Sequence, residues 1–152
     1  DNFNGNKFAH SAIEQGAAFA VIDEAEYLQG QQYILVDNVL QTLQTLAHYH
    51  IKKINPKAII AITGSNGKTT TKELVHAVLA STYKTHYTKG NLNNHIGIPI
   101  TLLEMEKGTE IAVIEMGANH QKEIESYCKY VEPTHGIITN CGKAHLEGFG
   151  GT

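Results

Sequence analysis

The sequence predicts an α/β fold, in which a mainly parallel sheet is flanked by helices and preceded by a smaller α/β unit. Three apolar runs are typical of strands that are buried on both faces: Ala58–Thr63, Ile111–Met116 and His135–Thr139. Amphipathic helical stretches at Lys68–Leu79 and Glu123–Val131 separate these runs. Strands that alternate with helices favour parallel pairing, because each helix carries the chain back to the start of the next strand.

The preceding unit has shorter elements. We predict a helix and two strands there, at Ser11–Gln15, Ala18–Ile22 and Tyr33–Val36. Asn38 has the position of a helix N-cap, with Gln41 three residues later as in a capping box. The helix that follows ends before Pro56, because proline cannot donate the next backbone hydrogen bond. We therefore divide the chain into residues 1–54 and 55–152.

The remaining segments of the larger part complete the prediction. Helix Lys68–Leu79 carries four apolar side chains on one face: Leu74, Val75, Val78 and Leu79. Lys84–Tyr87 is a further candidate strand, and Gly90–Pro99 is predicted to be a polar loop rich in asparagine.

The composition excludes several classes of partner. Hydrophobic residues make up 41% of the chain and charged residues 18%, which is a normal globular balance. The twelve basic residues are all lysines and face fifteen acidic residues, so there is no basic patch and a nucleic-acid partner is not expected. No apolar run approaches the roughly 20 residues that a membrane span needs, so no membrane span is expected.

The segment between the first buried strand and its helix has the pattern of a phosphate-binding loop. Glycines let backbone N–H groups converge on one point, and the helix N-terminus adds unpaired donors and a positive dipole end. Lys68 offers a cation for the β- and γ-phosphates of a nucleotide, and Thr69 offers a hydroxyl for Mg²⁺. The candidate nucleotide-binding residues are Gly64, Ser65, Asn66, Gly67, Lys68, Thr69 and Thr70.

This loop departs from the common pattern GxxxxGK[ST]. The first glycine of that pattern would fall at position 62, which is Ile62 in this chain. The shorter spacing GxxGKTT argues against an ordinary GTPase or nucleotide kinase, and the base-reading motif Asn-Lys-x-Asp of GTPases is not present.

Three further candidates remain open on the residues alone. Glu115 ends an apolar strand, where its carboxylate either holds a metal ion or accepts hydrogen bonds from nearby N–H groups. Asn91, Asn93 and Asn94 form either an ordinary loop or a polar recognition loop. A lone histidine such as His145 is more often structural than a ligand.

Four segments together resemble the Mur ligase family of ATP-dependent amide-forming enzymes in peptidoglycan precursor synthesis. They are ITGSNGKTTTKE (Ile62–Glu73), GNLNNHIGIPITLL (Gly90–Leu103), VIEMGANHQKEI (Val113–Ile124) and ITNCGKAHLEGFG (Ile138–Gly150). Within the family, EMGANH and NLNN are most similar to the members that add D-alanyl-D-alanine to UDP-N-acetylmuramoyl-tripeptide. The third residue of that tripeptide, lysine or diaminopimelate, stays open.

The resemblance implies a cytoplasmic, monomeric ligase that uses ATP and Mg²⁺ and forms an acyl phosphate. It assigns catalytic roles to Lys68, Glu115 and His145, and metal binding to Thr69, Glu115 and His145. It makes Asn91, Asn93 and Asn94 candidates for contacting the nucleotide or the UDP-linked substrate.

The resemblance also implies the domain organisation. Residues 1–54 correspond to the end of a UDP-substrate-binding N-terminal domain, and residues 55–152 correspond to the front half of the ATP-binding central domain. The family's C-terminal domain lies outside these residues, so we expect this chain alone to be inactive. The alternatives are another amide ligase of the superfamily, similar to folylpolyglutamate synthase or cyanophycin synthetase, and a non-catalytic nucleotide-binding module.

Overall fold

Both parts of the chain contain parallel strands and helices, which confirms the predicted α/β class. The computed structural model describes residues 3–142. It separates into two compact units, Asp1–Leu43 and Gln44–Thr152.

The smaller unit is built on one pair of parallel strands, β1 (Ala20–Ile22) and β2 (Tyr33–Leu35). Helix α1 (Ala9–Glu14) precedes them, and 3₁₀ turns lie at Gly5–Phe8 and Ala25–Tyr27. The core consists of four buried side chains: Ala9, Ala20, Ile22 and Tyr33. The helix and both strands predicted for this part are present, with somewhat different bounds.

Helix α2 (Val39–Ile54) begins at the predicted residue, because Asn38 Oδ1 accepts a hydrogen bond from the Gln41 backbone N–H at 2.8 Å. The division between the two compact units falls inside this helix and not after residue 54. The second half of α2 belongs to the larger unit, since Ala47 and Ile51 are buried in that unit's core. The assignment of the units to a substrate-binding and an ATP-binding domain stays a prediction.

A parallel sheet with the strand order β4–β5–β3–β6 lies at the centre of the larger unit's described residues. Its strands are β3 (Ala58–Thr63), β4 (Thr85–Tyr87), β5 (Ile111–Glu115) and β6 (His135–Ile138). Strand β5 is buried along its whole length, which explains its uninterrupted apolar run. The register pairs Ile62 with Glu115 and Thr63 with Ile138, so the carboxyl ends of β3, β5 and β6 meet at one edge.

The helices of this unit are α3 (Lys68–Ala80), α4 (Gly97–Leu103) and α5 (Glu123–Val131). The prediction of a loop over Gly90–Pro99 is wrong from Gly97 onward, where α4 begins. Pro99 lies in the first turn of α4, where a missing N–H breaks no intrahelical hydrogen bond. Gly97 is required by packing, because a Cβ there would lie 2.6 Å from Leu92 Cα.

The predicted apolar face of α3 is only partly buried among the residues described. Leu74 is 64% exposed and Val78 is 72% exposed, whereas the one buried side chain of the helix is Lys72. In the described part of the chain, no helix combines the length and the apolar character that crossing a membrane requires.

Candidate functional site

The loop between β3 and α3 turns on two glycines. Gly64 has a φ of +134° and Gly67 a φ of +78°, which are conformations that L side chains rarely adopt. Gly67 is the N-cap of α3 and provides no side-chain cap. Because the first turn of a helix has no intrahelical acceptors for its N–H groups, residues 68–70 present backbone donors at the end of the loop.

The segment after β6 fastens this loop. The Asn140 backbone oxygen accepts the Ser65 N–H at 3.2 Å, and Asn140 Oδ1 accepts the Asn66 N–H at 3.1 Å. Thr139 Oγ1 and Asn140 Nδ2 donate to the Asn66 carbonyl at 2.6 and 3.1 Å. The N–H groups of Ser65 and Asn66 therefore have protein acceptors, so the donors facing an anion lie in the first turn of α3.

Lys68 folds back over the same loop. Its Nζ donates to the Gly64 carbonyl at 2.7 Å and to the Ser65 carbonyl at 3.5 Å. These contacts place a positive charge at the N-terminus of α3, next to the helix N–H groups. A lysine ammonium and a helix N-terminus together favour an anion such as a phosphate group.

Glu115 lies at the carboxyl end of β5 and is 1% exposed. Its Oε1 accepts hydrogen bonds from Thr69 Oγ1 at 3.2 Å and from Asn93 Nδ2 at 2.8 Å. Its backbone N–H donates to Thr88 Oγ1 at 2.9 Å, and Thr88 is itself fully buried. The structure thus brings together three segments that are far apart in the sequence: the start of α3, the asparagine-rich loop and the end of β5.

Two cavities adjoin at this edge of the sheet, and both are lined by Lys68 and Asn93. The larger has a volume of about 400 Å³ and is lined by residues of the loop, α3 and β5: Ser65, Asn66, Gly67, Lys68, Thr69, Thr70, Asn93 and Glu115. The smaller has a volume of about 280 Å³, and its lining adds Asn94, His95, Gly117, Ala118, Asn119, His120, Glu123 and Tyr127.

Glu123 gives the smaller cavity an anionic end. Its Oε2 accepts the backbone N–H groups of Asn119 at 2.6 Å and His120 at 3.0 Å. Burial raises the pKa of Glu123, but the hydrogen bonds from His120 and Asn119 outweigh burial and leave the pKa below its usual value. The Glu123 carboxylate therefore holds the segment after β5 in place. The smaller cavity has this negative charge in one part of its lining and the Lys68 ammonium in another.

The three candidate asparagines occupy different positions. Asn93 contacts Glu115 and lines both cavities. Asn94 lines the smaller cavity, but its Oδ1 accepts the N–H groups of Ile96 and Gly97 at 3.0 and 2.8 Å, so this oxygen holds the start of α4. Asn91 is exposed and lines neither cavity.

The donor set fits Mg²⁺. Thr69 and Glu115 offer hydroxyl and carboxylate oxygens, the hard ligands that Mg²⁺ prefers, and this ion usually completes its coordination with phosphate oxygens and water. Within residues 3–142 there is no cluster of three or more histidine, cysteine, aspartate and glutamate side chains that could hold a metal ion. The remaining predicted ligand, His145, lies outside the described residues.

Sequence reasoning missed several residues that hold this site in place, among them Lys72, Thr88 and Asn140. Lys72 is fully buried and forms an ion pair with Glu115, with 3.7 Å between Nζ and Oε2. A lysine in an amphipathic helix normally indicates a solvent-exposed face, so the sequence pattern gave no sign that Lys72 is buried. Thr88 and Asn140 follow directly after predicted strands, at the edge where ligands gather, and Asn140 also lies in one of the segments that carry the family resemblance.

Comparisons with known proteins show what this chain is similar to. A sequence profile of the Mur ligase middle domain matches residues 62–152. The chain is 41% identical to UDP-N-acetylmuramoyl-tripeptide–D-alanyl-D-alanine ligase of Bacillus subtilis and 38% identical to the ligase of that name in Escherichia coli. Each alignment covers 99% of this chain and 33% of the relative, so the chain spans about a third of their length.

Solved structures give the same result. The chain superposes on MurF from Acinetobacter baumannii with a TM-score of 0.90 at 37% identity, covering 99% of this chain and 33% of that one. It superposes on MurF ligase from Thermotoga maritima in complex with ADP with a TM-score of 0.87 at 32% identity, covering 96% and 34%.

Proposed function

The chain belongs to the Mur ligase family, and from this premise we propose that it is part of an ATP-dependent ligase that joins D-alanyl-D-alanine to UDP-N-acetylmuramoyl-tripeptide. Residues 55–152 would belong to the ATP-binding central domain, and residues 1–54 to the domain that binds the UDP-linked substrate. Following the family resemblance, we also propose that the ligase is a monomer. Nucleotide-linked substrates fit a cytoplasmic location.

One observation carries the proposal. Lys68, Thr69 and Glu115 meet at the carboxyl ends of parallel strands, beside a cavity of about 400 Å³. A cation, a hydroxyl and a carboxylate in this arrangement suit a nucleotide whose phosphates carry Mg²⁺. The ADP in the Thermotoga maritima structure supports a nucleotide as the ligand of this fold.

We assign the phosphates to the first turn of α3. Lys68 and the N–H groups of residues 68–70 would hold the β- and γ-phosphates, with Ser65, Asn66 and Thr70 in the wall around them. Thr69 and Glu115 would hold Mg²⁺, which neutralises phosphate charge when bound. Gly64 and Gly67 shape the loop so that these donors converge.

The smaller cavity would receive the carboxylate end of the tripeptide. It opens on the same Lys68 and Asn93 as the larger cavity, so an acceptor there would lie beside the γ-phosphate. Asn93 and Asn94 are positioned to contact the nucleotide or this acceptor, whereas exposed Asn91 has no such position. Alignment of two anions is the main task, since the reaction itself needs little from the protein beyond positioning and charge neutralisation.

The reaction would take place in two steps. The acceptor carboxylate attacks the γ-phosphorus of ATP, which gives an acyl phosphate and ADP. The amine of D-alanyl-D-alanine then attacks the acyl carbon, loses a proton and displaces inorganic phosphate, so that an amide bond remains. Following the family resemblance, His145 would ligate a second metal ion next to the transferred phosphoryl group.

The test is phosphate release by the full-length ligase that we propose contains this chain. ATP, Mg²⁺, UDP-N-acetylmuramoyl-tripeptide and D-alanyl-D-alanine would be supplied together, and each acceptor would then be omitted in turn. We expect steady release only when both acceptors are present. Lys68→Ala should abolish release and weaken ATP binding, because it removes the cation beside the phosphates.

Other outcomes separate the alternatives. Release that requires a different acid and amine would favour another amide ligase of the superfamily. ATP binding without release under any acceptor pair would favour a non-catalytic nucleotide-binding module. Steady ligation by residues 1–152 alone would contradict our expectation that this chain needs a further domain to complete the reaction.

A further inference from the structure

Lys72 is the largest fully buried side chain in the described residues, although it carries a charge. Burial of an ammonium group is costly unless partners compensate for lost hydration. Lys72 lies in the second turn of α3, close to Thr69, and nothing in the proposed function so far uses it. Helix packing alone therefore does not explain why this charged side chain is buried.

The Lys72 ammonium contacts two separate parts of the site. Its Nζ lies 3.7 Å from Glu115 Oε2 and donates to the Gly90 carbonyl at 3.2 Å. It also lies 3.2 Å from Oε1 of the half-exposed Glu73, and 5.8 Å from the centre of the Tyr87 ring. Gly90 begins the loop that carries Asn93, so one ammonium joins α3, β5 and the asparagine-rich loop.

The two oxygens of Glu115 have different environments. Oε1 faces Thr69 and Asn93, which donate hydrogen bonds to it. Oε2 is buried without a hydrogen bond, and its ion-pair partner is Lys72. The carboxylate therefore has one oxygen turned to the cavity and one turned to a buried cation.

We propose that Lys72 is a positioning residue for the divalent cation: its ammonium holds Glu115 Oε2 and the Gly90 carbonyl, so that Oε1 stays turned toward Thr69. The proposal rests on the Mg²⁺ site of the proposed function. Without the ammonium, Oε2 would be a buried carboxylate oxygen with no partner, and the carboxylate would no longer be fixed in the orientation that the cation requires. Lysine suits this role, because its compact ammonium has three donors that point in different directions.

The measured quantity is the gain in ADP affinity that Mg²⁺ provides. Calorimetry on the full-length ligase would give the Kd for ADP with Mg²⁺ and with EDTA, and the ratio of the two is the Mg²⁺ enhancement. Loss of a group that orients a metal ligand typically reduces metal affinity 10- to 100-fold, so we expect Lys72→Met to reduce the enhancement about tenfold or more. The affinity measured in EDTA should change little, because Lys68 and the first turn of α3 remain.

Lys84→Met is the matched control. Lys84 also pairs with a glutamate, since its Nζ lies 3.0 Å from Glu106 Oε2, but this ion pair is at the surface and away from the cavities. The control should keep the full enhancement. If Lys72→Met does not fold, Lys72→Gln replaces it, because glutamine removes the charge but keeps an amide donor on a slightly shorter side chain.

A double-mutant cycle tests whether Lys72 acts through Glu115. In a Glu115→Gln background the carboxylate is already absent, so adding Lys72→Met should not lower the enhancement further. A Lys72→Met protein that melts at a lower temperature but keeps the enhancement would show a merely structural residue and overturn the proposal. A greater enhancement than in the wild type would overturn it as well. A wild-type protein without any enhancement would contradict the Mg²⁺ site of the proposed function itself.

Discussion

Substitution of Gly64 by alanine should destabilise the loop more than the same substitution at Gly67. Both glycines have positive φ, at +134° and +78°. They differ in the space around them. A Cβ at Gly64 would lie 2.1 Å from Thr139 Oγ1 and 3.0 Å from the backbone nitrogen and oxygen of Asn140, whereas a Cβ at Gly67 would meet nothing within 4 Å.

The magnitudes follow from these contacts. Alanine in the left-handed region costs about 1–2 kcal/mol of strain in the folded state. Alanine also restricts the unfolded chain, which stabilises the folded state by about 0.4–1 kcal/mol. Gly67→Ala should therefore reduce the free energy of unfolding by about 1 kcal/mol. Gly64 has a φ beyond that region, which raises the strain to about 2 kcal/mol. Displacement of the Thr139 hydroxyl from the Asn66 carbonyl adds about 1 kcal/mol. After the same reduction of about 0.4–1 kcal/mol for the unfolded chain, Gly64→Ala should cost about 2 kcal/mol in total.

Amide hydrogen exchange, followed by mass spectrometry in nucleotide-free buffer, measures this difference locally. The free energy of opening would be compared for β3 and for the segment 139–142 in both variants. Gly108→Ala is the control, because Gly108 also has a positive φ and open space but lies outside the site. If Gly64→Ala cost no more than Gly67→Ala, the close approach of the segment 139–142 would not be what makes Gly64 necessary.

Two further predictions concern the Glu115 carboxylate and the dependence of stability on pH. Asn93→Ala removes the 2.8 Å hydrogen bond to Glu115 Oε1 and should reduce the Mg²⁺ enhancement of ADP binding about tenfold, whereas Asn91→Ala should leave it unchanged. Equal enhancement in both variants would contradict this role of Asn93. Burial lowers the pKa of His86 below 6.5, although a hydrogen bond to the Thr101 carbonyl opposes the shift. The unfolded chain therefore binds the proton more readily, so stability should be highest above pH 6.5 and decrease as the pH falls below it. Denaturation midpoints at several pH values should change less in His86→Gln, and an equal change would contradict the prediction.

The sequence predicted the strands and the longer helices of the larger unit well, because their periodicity is strong. The bounds of β3 and α5 agree with the prediction to the residue. Helix α4 was missed, since its seven residues begin with Gly-Ile-Pro, a composition that normally predicts a loop. Its start is fixed by the Asn94 side chain and by close packing of Gly97 on Leu92, and neither contact is visible in a pattern of residues.

The sequence could predict only those candidate site residues whose side chain and motif together indicate a chemical role. Lys68 and Thr69 follow from the loop pattern, and the proximity of Thr69 to Glu115 follows from the parallel order of the strands. The residues that hold these groups in place could not be predicted. Lys72 resembles any surface lysine in the sequence, and Asn140 acts through its backbone oxygen as much as through its side chain.

The departure from the common loop pattern at position 62 has a structural reason. Ile62 is fully buried in β3, where it pairs in register with Glu115, and its carbonyl accepts the Met116 N–H at 2.8 Å. A glycine at this position would leave a cavity in the core and weaken the strand beside the carboxylate. The strand therefore continues through Thr63, and the chain turns only after it, at Gly64 and Gly67. A turn this short starts α3 directly at the edge of the sheet, which brings Thr69 within hydrogen-bonding distance of Glu115. The shorter loop and the position of the carboxylate are thus two consequences of one strand register.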